Sequence, residues 1–81
     1  MKLGLIIISY NDEDTLKKAI QSAAILKKKN NIFIVLVDDC STDSTINIIK
    51  HAKKINQIDV AHFNKKNLGA ASSRNIGIEL C

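Results

Sequence analysis

Residues 32–50, IFIVLVDDCSTDSTINIIK, decide the predicted fold. The first six residues are all apolar and mostly β-branched, which is typical of a strand buried on both faces of a sheet. Asp38 and Asp39 end this strand, and a turn rich in serine, threonine and aspartate follows them. Apolar residues then recur at helical spacing, beginning with Ile46 and Ile49. The stretch therefore predicts a buried strand, a polar turn and an amphipathic helix, in that order.

The same order of elements is found on both sides of this stretch. Residues 3–8 predict an earlier strand, also buried on both faces, and residues 16–29 predict a helix that ends in three lysines. Residues 58–63 predict a weaker third strand nearer the sheet edge, and residues 70–80 predict a third helix. The order β-α-β-α-β-α predicts an α/β fold, a three-layer, half-Rossmann-like parallel sheet with right-handed crossovers.

Composition indicates one small folded unit. The 81 residues are 46% hydrophobic with a net charge of +4, which excludes a disordered chain and two independent domains. Cys40 and Cys81 form no CxxC pair, so we expect reduced thiols and a cytoplasmic location. No ligands are spaced for a zinc site, and His51 and His62 are predicted to lie at or near the surface.

Charge and hydropathy narrow the range of partners. The lysine clusters fit solvated helix ends, where cations are favourable, and no basic stripe carries interleaved aromatic residues. We therefore expect no nucleic-acid partner, whereas an anionic ligand such as a nucleoside diphosphate fits the mild positive charge. The apolar run at residues 5–8 is too short for a signal peptide or a membrane span.

The ends of the three predicted strands are expected to form one ligand-binding rim. Ligands of parallel sheets bind beyond the carboxyl ends of the strands, and the residues that follow each predicted strand here are polar. No catalytic and no metal-binding residue is predicted. The predicted ligand-binding residues are Ser9, Tyr10, Asn11, Asp38, Asp39, Gly69 and Arg74.

The residues that follow the first two strands each have two interpretations. Adjacent carboxylates after a buried strand need a cation or hydrogen-bond donors, which a ligand could supply. Alternatively, Asp39 only caps the turn before the second helix. Tyr10 either stacks on a flat ring or packs at the rim. Asn11 either contacts a ligand or, like Asp12, caps the first helix.

Two more predicted site residues lie around the start of the third helix. Gly69 permits either a close backbone approach to a ligand at the helix N-terminus or only a flexible turn. Arg74, the only arginine, either makes bidentate contacts with phosphate or lies solvated on the helix surface. The remaining glycines of a GxGxxG or Walker motif are missing, which argues against a dinucleotide oxidoreductase and a P-loop NTPase.

Three segments together resemble the start of family 2 glycosyltransferases: IIISYNDEDTLKKAIQSA, IFIVLVDDCSTDSTINIIK and NKKNLGAASSRNIGIEL. The resemblance covers about residues 3–80. It implies an inverting, nucleotide-sugar-dependent enzyme with the GT-A fold, and a UDP-sugar as the expected donor. The products of such enzymes range from surface polysaccharides to lipid-linked sugars. The abundant isoleucine, lysine and asparagine also suggest an AT-rich bacterial genome.

The resemblance also implies roles for individual positions. The tyrosine after the first strand, here Tyr10, would lie against the base, and the second aspartate of the D-D pair, here Asp39, would meet the imide edge of the base. The N-x-G and R-N elements would lie near the diphosphate or the sugar. Ile8 and Ser73 stand where many members have proline and alanine. The matching positions are Tyr10, Asn11, Asp38, Asp39, Ser41, Asp43, Asn67, Gly69, Arg74 and Asn75.

The family's D-x-D metal motif and its catalytic base have no counterpart in this sequence. The resemblance therefore implies a divalent metal, Mn or Mg, for the full-length enzyme, although this chain secures none. We expect residues 1–81 to be the N-terminal nucleotide-binding part of a glycosyltransferase, truncated before the D-x-D motif and inactive alone. The parent enzyme would transfer a sugar to a saccharide or lipid-linked acceptor, in the cytoplasm or at the membrane periphery.

Two other classes of protein compete with this interpretation. One is a non-catalytic α/β module that binds a nucleotide or a protein. The other, a receiver-like signalling domain, needs its acids after the first strand, whereas here they follow the second. In the transferase interpretation, the first strand lies at an exposed apolar edge, which predicts self-association through that edge.

Overall fold

The computed structural model describes residues 3–81 and confirms the predicted order of strands and helices. The strands alternate with the helices throughout. The six elements are β1 Leu3–Ser9, α1 Leu16–Asn30, β2 Ile32–Asp38, α2 Thr45–Lys54, β3 Val60–Phe63 and α3 Ala70–Leu80.

The three strands form a parallel sheet in the order β1-β2-β3. β1 pairs with β2 from Leu3 opposite Ile32 to Ser9 opposite Asp38. β3 pairs with the second half of β2 and ends with Phe63 opposite Asp38. β2 is therefore the central strand, and its residues 34–37 have no exposed surface. This burial explains why that stretch is apolar without alternation.

The helices lie on the two faces of the sheet. α1 and α2 pack with alternate residues of β2, including Ile34 and Leu36, in one core. α3 lies on the opposite face, over β1 and β2. Its close approach depends on Gly77, because a Cβ there would lie 2.6 Å from Ile6 Cγ2. The predicted three-layer α/β fold is confirmed. No helix among residues 3–81 is long and apolar enough to cross a bilayer.

β1 differs from its prediction of burial on both faces. Leu3 is 63% exposed, and residues 5–8 are only half-buried. The reason is the strand order, because β1 pairs only with β2 within the described residues and its outer edge has no neighbour there. The exposed edge agrees with the expectation drawn from the family resemblance. Self-association through this edge stays a prediction.

The start of α1 also differs from its prediction. The helix begins at Leu16 with Thr15 as its N-cap, so Asn11 and Asp12 do not cap it. A turn precedes the helix instead, in which the backbone N–H groups of Thr15 and Leu16 donate to the Asp12 carbonyl. The Asp12 carboxylate accepts a hydrogen bond from Tyr10 N at 3.0 Å. The acidic residues therefore order the loop before the helix.

One lysine of the cluster that ends α1 is not a solvated surface residue. Lys27 Nζ lies 2.6 Å from Asp59 Oδ2, and both side chains are about three-quarters buried. The same carboxylate oxygen accepts a hydrogen bond from Ile34 N at 2.7 Å. The ion pair therefore joins the end of α1, the loop before β3 and the start of β2, all at the amino end of the sheet.

Candidate functional site

The loops after the three strands converge at the carboxyl end of the sheet, as predicted. Asp39 N donates to the Ser9 carbonyl, and Asn64 N donates to the Asp38 carbonyl, each at 2.8 Å. These bonds continue the parallel ladders one residue past the strands. They fix the first residue of each loop beside its neighbour. The rim is defined here as residues 9–12, 38–45 and 64–69, together with the start of α3.

Asp38 lies beneath the surface of the rim. Its side chain has no exposed surface and accepts hydrogen bonds from Ser9 Oγ at 2.8 Å, Ser41 N at 2.8 Å and Ser41 Oγ at 2.5 Å. Ser9 is 1% exposed. Two of the predicted binding residues, Ser9 and Asp38, therefore contact each other and join the end of β1 to the turn after β2.

Asp39 points to a different loop. Its Oδ1 accepts hydrogen bonds from Leu68 N at 2.7 Å and from Asn64 Nδ2 at 3.0 Å, and its Oδ2 accepts one from Gly69 N at 2.9 Å. The carboxylate therefore holds the loop before α3, and its oxygens are not used to cap α2. The adjacent aspartates thus join different pairs of loops.

The donors around Asp39 stabilise its charged form. The Leu68 N–H, followed by the Asn64 amide, holds the pKa of Asp39 below its ordinary value, and the Gly69 N–H and the Ser73 hydroxyl act in the same direction. Burial opposes this shift, because it disfavours the charged form. Asp39 is therefore an ionised acceptor at neutral pH that is surrounded by neutral donors.

Gly69 is required by its backbone conformation. Its φ of 89° and ψ of 163° lie in a region that is essentially restricted to glycine. Apart from Gly69 and its two neighbours in the chain, no atom lies within 4 Å of the position that a Cβ would occupy. Gly69 is the N-cap of α3, so the open space lies beside the start of that helix. The backbone here is therefore open to a close approach, which is one of the two interpretations of Gly69 given above.

Asn64 belongs to the site, although the sequence did not single it out. Asn64 is 6% exposed. Its Nδ2 donates to Asp39 Oδ1 and to Ser73 Oγ, each at 3.0 Å. Its Oδ1 is buried without a hydrogen-bond partner among the described residues. An unsatisfied buried acceptor costs about 1–3 kcal/mol. The sequence feature that could have identified Asn64 is its position directly after β3, because the parallel ladder places that position beside Asp39.

Tyr10 and Asn11 occupy the outer part of the rim. Tyr10 is 49% exposed, so about half of its surface is not packed against the rim. Asn11 has a left-handed φ of 49°, its N donates to Ser41 Oγ at 2.9 Å, and its Oδ1 accepts from Thr42 N at 2.8 Å. Asn11 therefore fixes the loop on which Tyr10 stands.

Arg74 is the one predicted binding residue that the structure does not bring into the network. Its side chain is exposed on α3 and makes no hydrogen bond or ion pair with the residues that the structure describes. Its guanidinium is therefore available to a ligand, but its geometry does not identify one.

The rim does not fit a divalent metal. No three acidic, histidine or cysteine residues are grouped as metal ligands within residues 3–81. The two carboxylates nearest the rim centre, Asp38 and Asp39, already accept several N–H and O–H groups. Most of the lone pairs of these two carboxylates are therefore already used, and no third ligand is grouped with them among residues 3–81.

Known sequences match the chain over nearly its whole length. The model of the family described as Glycosyl transferase family 2 matches residues 5–81. An uncharacterized glycosyltransferase of Rickettsia felis is 38% identical over 96% of this chain and 12% of its own length. TarS of Staphylococcus aureus, a poly(ribitol-phosphate) beta-N-acetylglucosaminyltransferase, is 32% identical over 98% of this chain and 14% of its own length. WfaP of Escherichia coli is a UDP-Glc:alpha-D-GlcNAc-diphosphoundecaprenol beta-1,3-glucosyltransferase. It is 35% identical over 96% of this chain and 30% of its own length.

Solved structures match as well. The crystal structure of S. aureus TarS aligns with a TM-score of 0.81 and 29% identity over 100% of this chain and 15% of that one. TarS 1–349 in complex with UDP aligns with a TM-score of 0.68 and 24% identity. The alignment covers 100% of this chain and 24% of that one. The mannosyltransferase PcManGT of Pyrobaculum calidifontis has been solved in complex with GDP-Man and Mn²⁺. It aligns with a TM-score of 0.78 and 19% identity, over 99% of this chain and 24% of that one.

This chain thus spans between 12% and 30% of the length of the sequence relatives described above. The family match extends from residue 5 to residue 81, and the fold aligns with glycosyltransferases of the GT-A type over the whole chain. The protein therefore belongs to glycosyl transferase family 2.

Proposed function

We propose that this chain binds the nucleotide of a nucleotide-sugar donor, UDP, at the rim. The observation that carries the proposal is the pairing of an exposed aromatic ring, Tyr10, with an ionised acceptor, Asp39, at the carboxyl end of a parallel sheet. Support also comes from relatives, because TarS has been solved with UDP and the name of WfaP specifies UDP-Glc.

Base recognition would use a stacking face and one acceptor. An aromatic ring that stacks on a base contributes about 1–3 kcal/mol, and Tyr10 has half of its surface free for this contact. Among the described residues, Gly69 N is the one hydrogen-bond donor to Asp39 Oδ2, so this oxygen keeps a lone pair for an N–H donor. Uracil offers a single imide N–H, whereas the corresponding nitrogen of cytosine carries no hydrogen. Cytosine donates only from its exocyclic amino group, so we expect uracil to be preferred if the N3 position of the base faces Oδ2.

The diphosphate would lie at the start of α3. Backbone N–H groups at a helix N-terminus attract anions, and the space beside Gly69 is open. Arg74 adds an exposed cation without a protein partner among residues 3–81. Arginine suits phosphate because its guanidinium can donate two parallel hydrogen bonds.

We expect this 81-residue chain to bind the donor without transferring its sugar. Inverting transfer needs a base that deprotonates the acceptor and a group that stabilises the leaving diphosphate. Asp38 is buried and held by N–H and O–H donors, and the proposal assigns the remaining lone pair of Asp39 to uracil, so neither carboxylate is expected to deprotonate the acceptor. The parent enzyme would transfer the sugar with inversion to a saccharide or lipid-linked acceptor.

An amide-resolved NMR titration tests the proposed function. UDP is added to the folded chain with and without Mn²⁺, and CMP serves as the control. We expect shifts at Tyr10, Asp39 and Gly69 with UDP, without a requirement for Mn²⁺ and with much weaker shifts for CMP. Absence of any shift with UDP in the folded chain would contradict the proposal, and so would equal shifts with UDP and CMP.

Turnover of a UDP-sugar by the purified chain would contradict its expected inactivity. That assay is independent of the titration, since a chain that binds UDP can still lack transfer.

A further inference from the structure

Asn64 connects the three elements that surround the proposed base site. Its backbone follows β3, and its side chain joins Asp39, after β2, to Ser73, in the first turn of α3. All three residues are nearly or fully buried. Their relative positions are therefore set by these hydrogen bonds and not by solvent.

The hydrogen bonds of Asp39 leave one oxygen for a ligand. Oδ1 accepts from Asn64 Nδ2 and from Leu68 N, so both of its lone pairs are used. Within residues 3–81, Oδ2 accepts one hydrogen bond, from Gly69 N. The Asn64 amide therefore contributes to the difference between the two oxygens, because without it Oδ1 would also have a lone pair free.

The orientation of the Asn64 amide follows from its partners. Nδ2 places one N–H on the ionised carboxylate and one on the Ser73 hydroxyl. The reversed amide would place its oxygen against the Asp39 carboxylate, which is unfavourable. The observed orientation leaves Asn64 Oδ1 buried without a partner among the described residues. The Asn64 side chain thus donates a hydrogen bond to Asp39, while its own acceptor, Oδ1, lacks a donor among the described residues.

We propose that Asn64 is a positioning residue for nucleotide recognition, which orients the Asp39 carboxylate so that Oδ2 meets the N–H of the base. This inference rests on the proposed UDP site. A shorter side chain would free Oδ1, let the carboxylate rotate about its χ2 bond, and loosen the Leu68–Gly69 backbone that the carboxylate holds.

Asn64→Ala tests the inference, with Ile49→Val as the stability control. Ile49 is fully buried in α2, away from the rim, so its variant loses stability without touching Asp39. Two quantities are measured for each protein: the amide hydrogen-exchange rates of Leu68 and Gly69 without ligand, and the Kd for UDP. We expect Asn64→Ala to raise both exchange rates and the Kd by about tenfold relative to Ile49→Val.

The two measurements separate this inference from the proposed function. If the unmodified chain fails to bind UDP, the proposed function is wrong, and the nucleotide role of Asn64 with it. If the chain binds UDP and Asn64→Ala binds it equally well, or no worse than Ile49→Val, then only the positioning role is wrong. Unchanged exchange at Leu68 and Gly69 would also overturn it.

Asn64→Ser provides a second variant if Asn64→Ala does not fold. Its hydroxyl retains a polar group but is too short to reach Asp39 and Ser73 together. The same increases in exchange rate and Kd are expected, and unchanged values for this variant would overturn the inference.

Discussion

The two ends of the sheet hold their carboxylates in different ways. At the amino end, Asp59 pairs with the ammonium group of Lys27 at 2.6 Å, and both side chains are about one-quarter exposed. At the carboxyl end, Asp38 and Asp39 are almost fully buried and accept hydrogen bonds from neutral N–H and O–H groups. The same residue type is therefore balanced by a cation at one end and by dipoles at the other.

This difference affects both the energetic cost of disturbing each carboxylate and its use as an acceptor for a ligand. A partly exposed ion pair can be lost at small cost, because water solvates both partners. A buried carboxylate that depends on neutral donors is costly to disturb, because each donor loses its partner when the carboxylate is removed. It also leaves the local charge negative and fixed in place, which suits an acceptor for a ligand N–H.

The largest expected effect is the loss of Asp38. Asp38→Ala would leave Ser41 N and the Ser9 and Ser41 hydroxyls without their shared acceptor in a site with no solvent access. We expect the free energy of unfolding to fall by about 3 kcal/mol, measured by urea denaturation. Asp14→Ala, at an exposed position, is the control and should change stability little. A loss below about 1 kcal/mol for Asp38→Ala would show that the carboxylate is not essential to the rim.

The next effect concerns the backbone that Asp39 holds. Gly69→Ala places a Cβ at φ 89° and ψ 163°, where no neighbouring atom obstructs it but the local conformation does. We expect a loss of about 2 kcal/mol in urea denaturation and weaker UDP binding, since relief of the strain would move the N–H that donates to Asp39. Gly4→Ala is not suitable as a control, because a Cβ at Gly4 would lie only 3.0 Å from Cys81 Sγ.

Asp43→Ala would sharpen that result, because it tests a carboxylate on the other side of the rim. Asp43 Oδ1 accepts from Thr45 N at 2.9 Å and does not contact Gly69 or Asp39 through any hydrogen bond described above. If Gly69→Ala acts through Asp39, UDP affinity should fall for Gly69→Ala and much less for Asp43→Ala. Equal losses would indicate a general disturbance of the rim.

The elements of the fold could be predicted because their patterns are local. The apolar run of β2 and the helical spacing of Ile46 and Ile49 are visible in the sequence, and the parallel topology then places the strand ends together. The partners of individual side chains could not be predicted in this way. Lys27 and Asp59 are separated by 32 positions, and the burial of Asn64 depends on where α3 packs.

The adjacent aspartates show the same limit. Asp38 and Asp39 are both predicted at the ligand-binding rim, and the structure shows that they point to different loops, because successive residues at a strand end face opposite sides of the sheet. The sequence predicts that both need donors or a cation. Which donors they find depends on the tertiary structure, and here Ser9, Ser41, Leu68 and Gly69 supply them.

A smaller effect concerns the pH dependence of stability at the carboxyl end of the sheet. The pKa of Asp39 is lower in the folded chain than its ordinary value, so the unfolded state binds more protons in acid. Its contribution to stability is therefore fully present above about pH 4 and is lost as the pH falls through the folded pKa. We expect Asp39→Asn to be less stable at neutral pH and to lose less stability than the unmodified chain between about pH 5 and pH 2.5.

Urea denaturation at several pH values measures that difference. Asp43, whose pKa is also lowered, chiefly by the Thr45 side chain, should still contribute a dependence in both proteins. Parallel curves for Asp39→Asn and the unmodified chain would mean that the donors around Asp39 do not favour its charged form.

The smallest expected effect is the loss of the ion pair at the amino end. Lys27→Ala removes the cation from Asp59, but Ile34 N still donates to the same carboxylate and the side chain can reach water. We expect stability to fall by about 0.5–1 kcal/mol at low salt, and by less at about 1 M salt, where charges are screened within a few ångströms. Lys28→Ala, at an exposed neighbouring position, should change stability less and with little dependence on salt.

Lys27 lies at the opposite end of the sheet from the rim, so the affinity for UDP should be unchanged in both Lys27→Ala and Lys28→Ala. A Lys27→Ala loss as large as that of Asp38→Ala would mean that the cation, and not the backbone donor, keeps Asp59 in place, and the contrast between the two ends of the sheet would then be wrong.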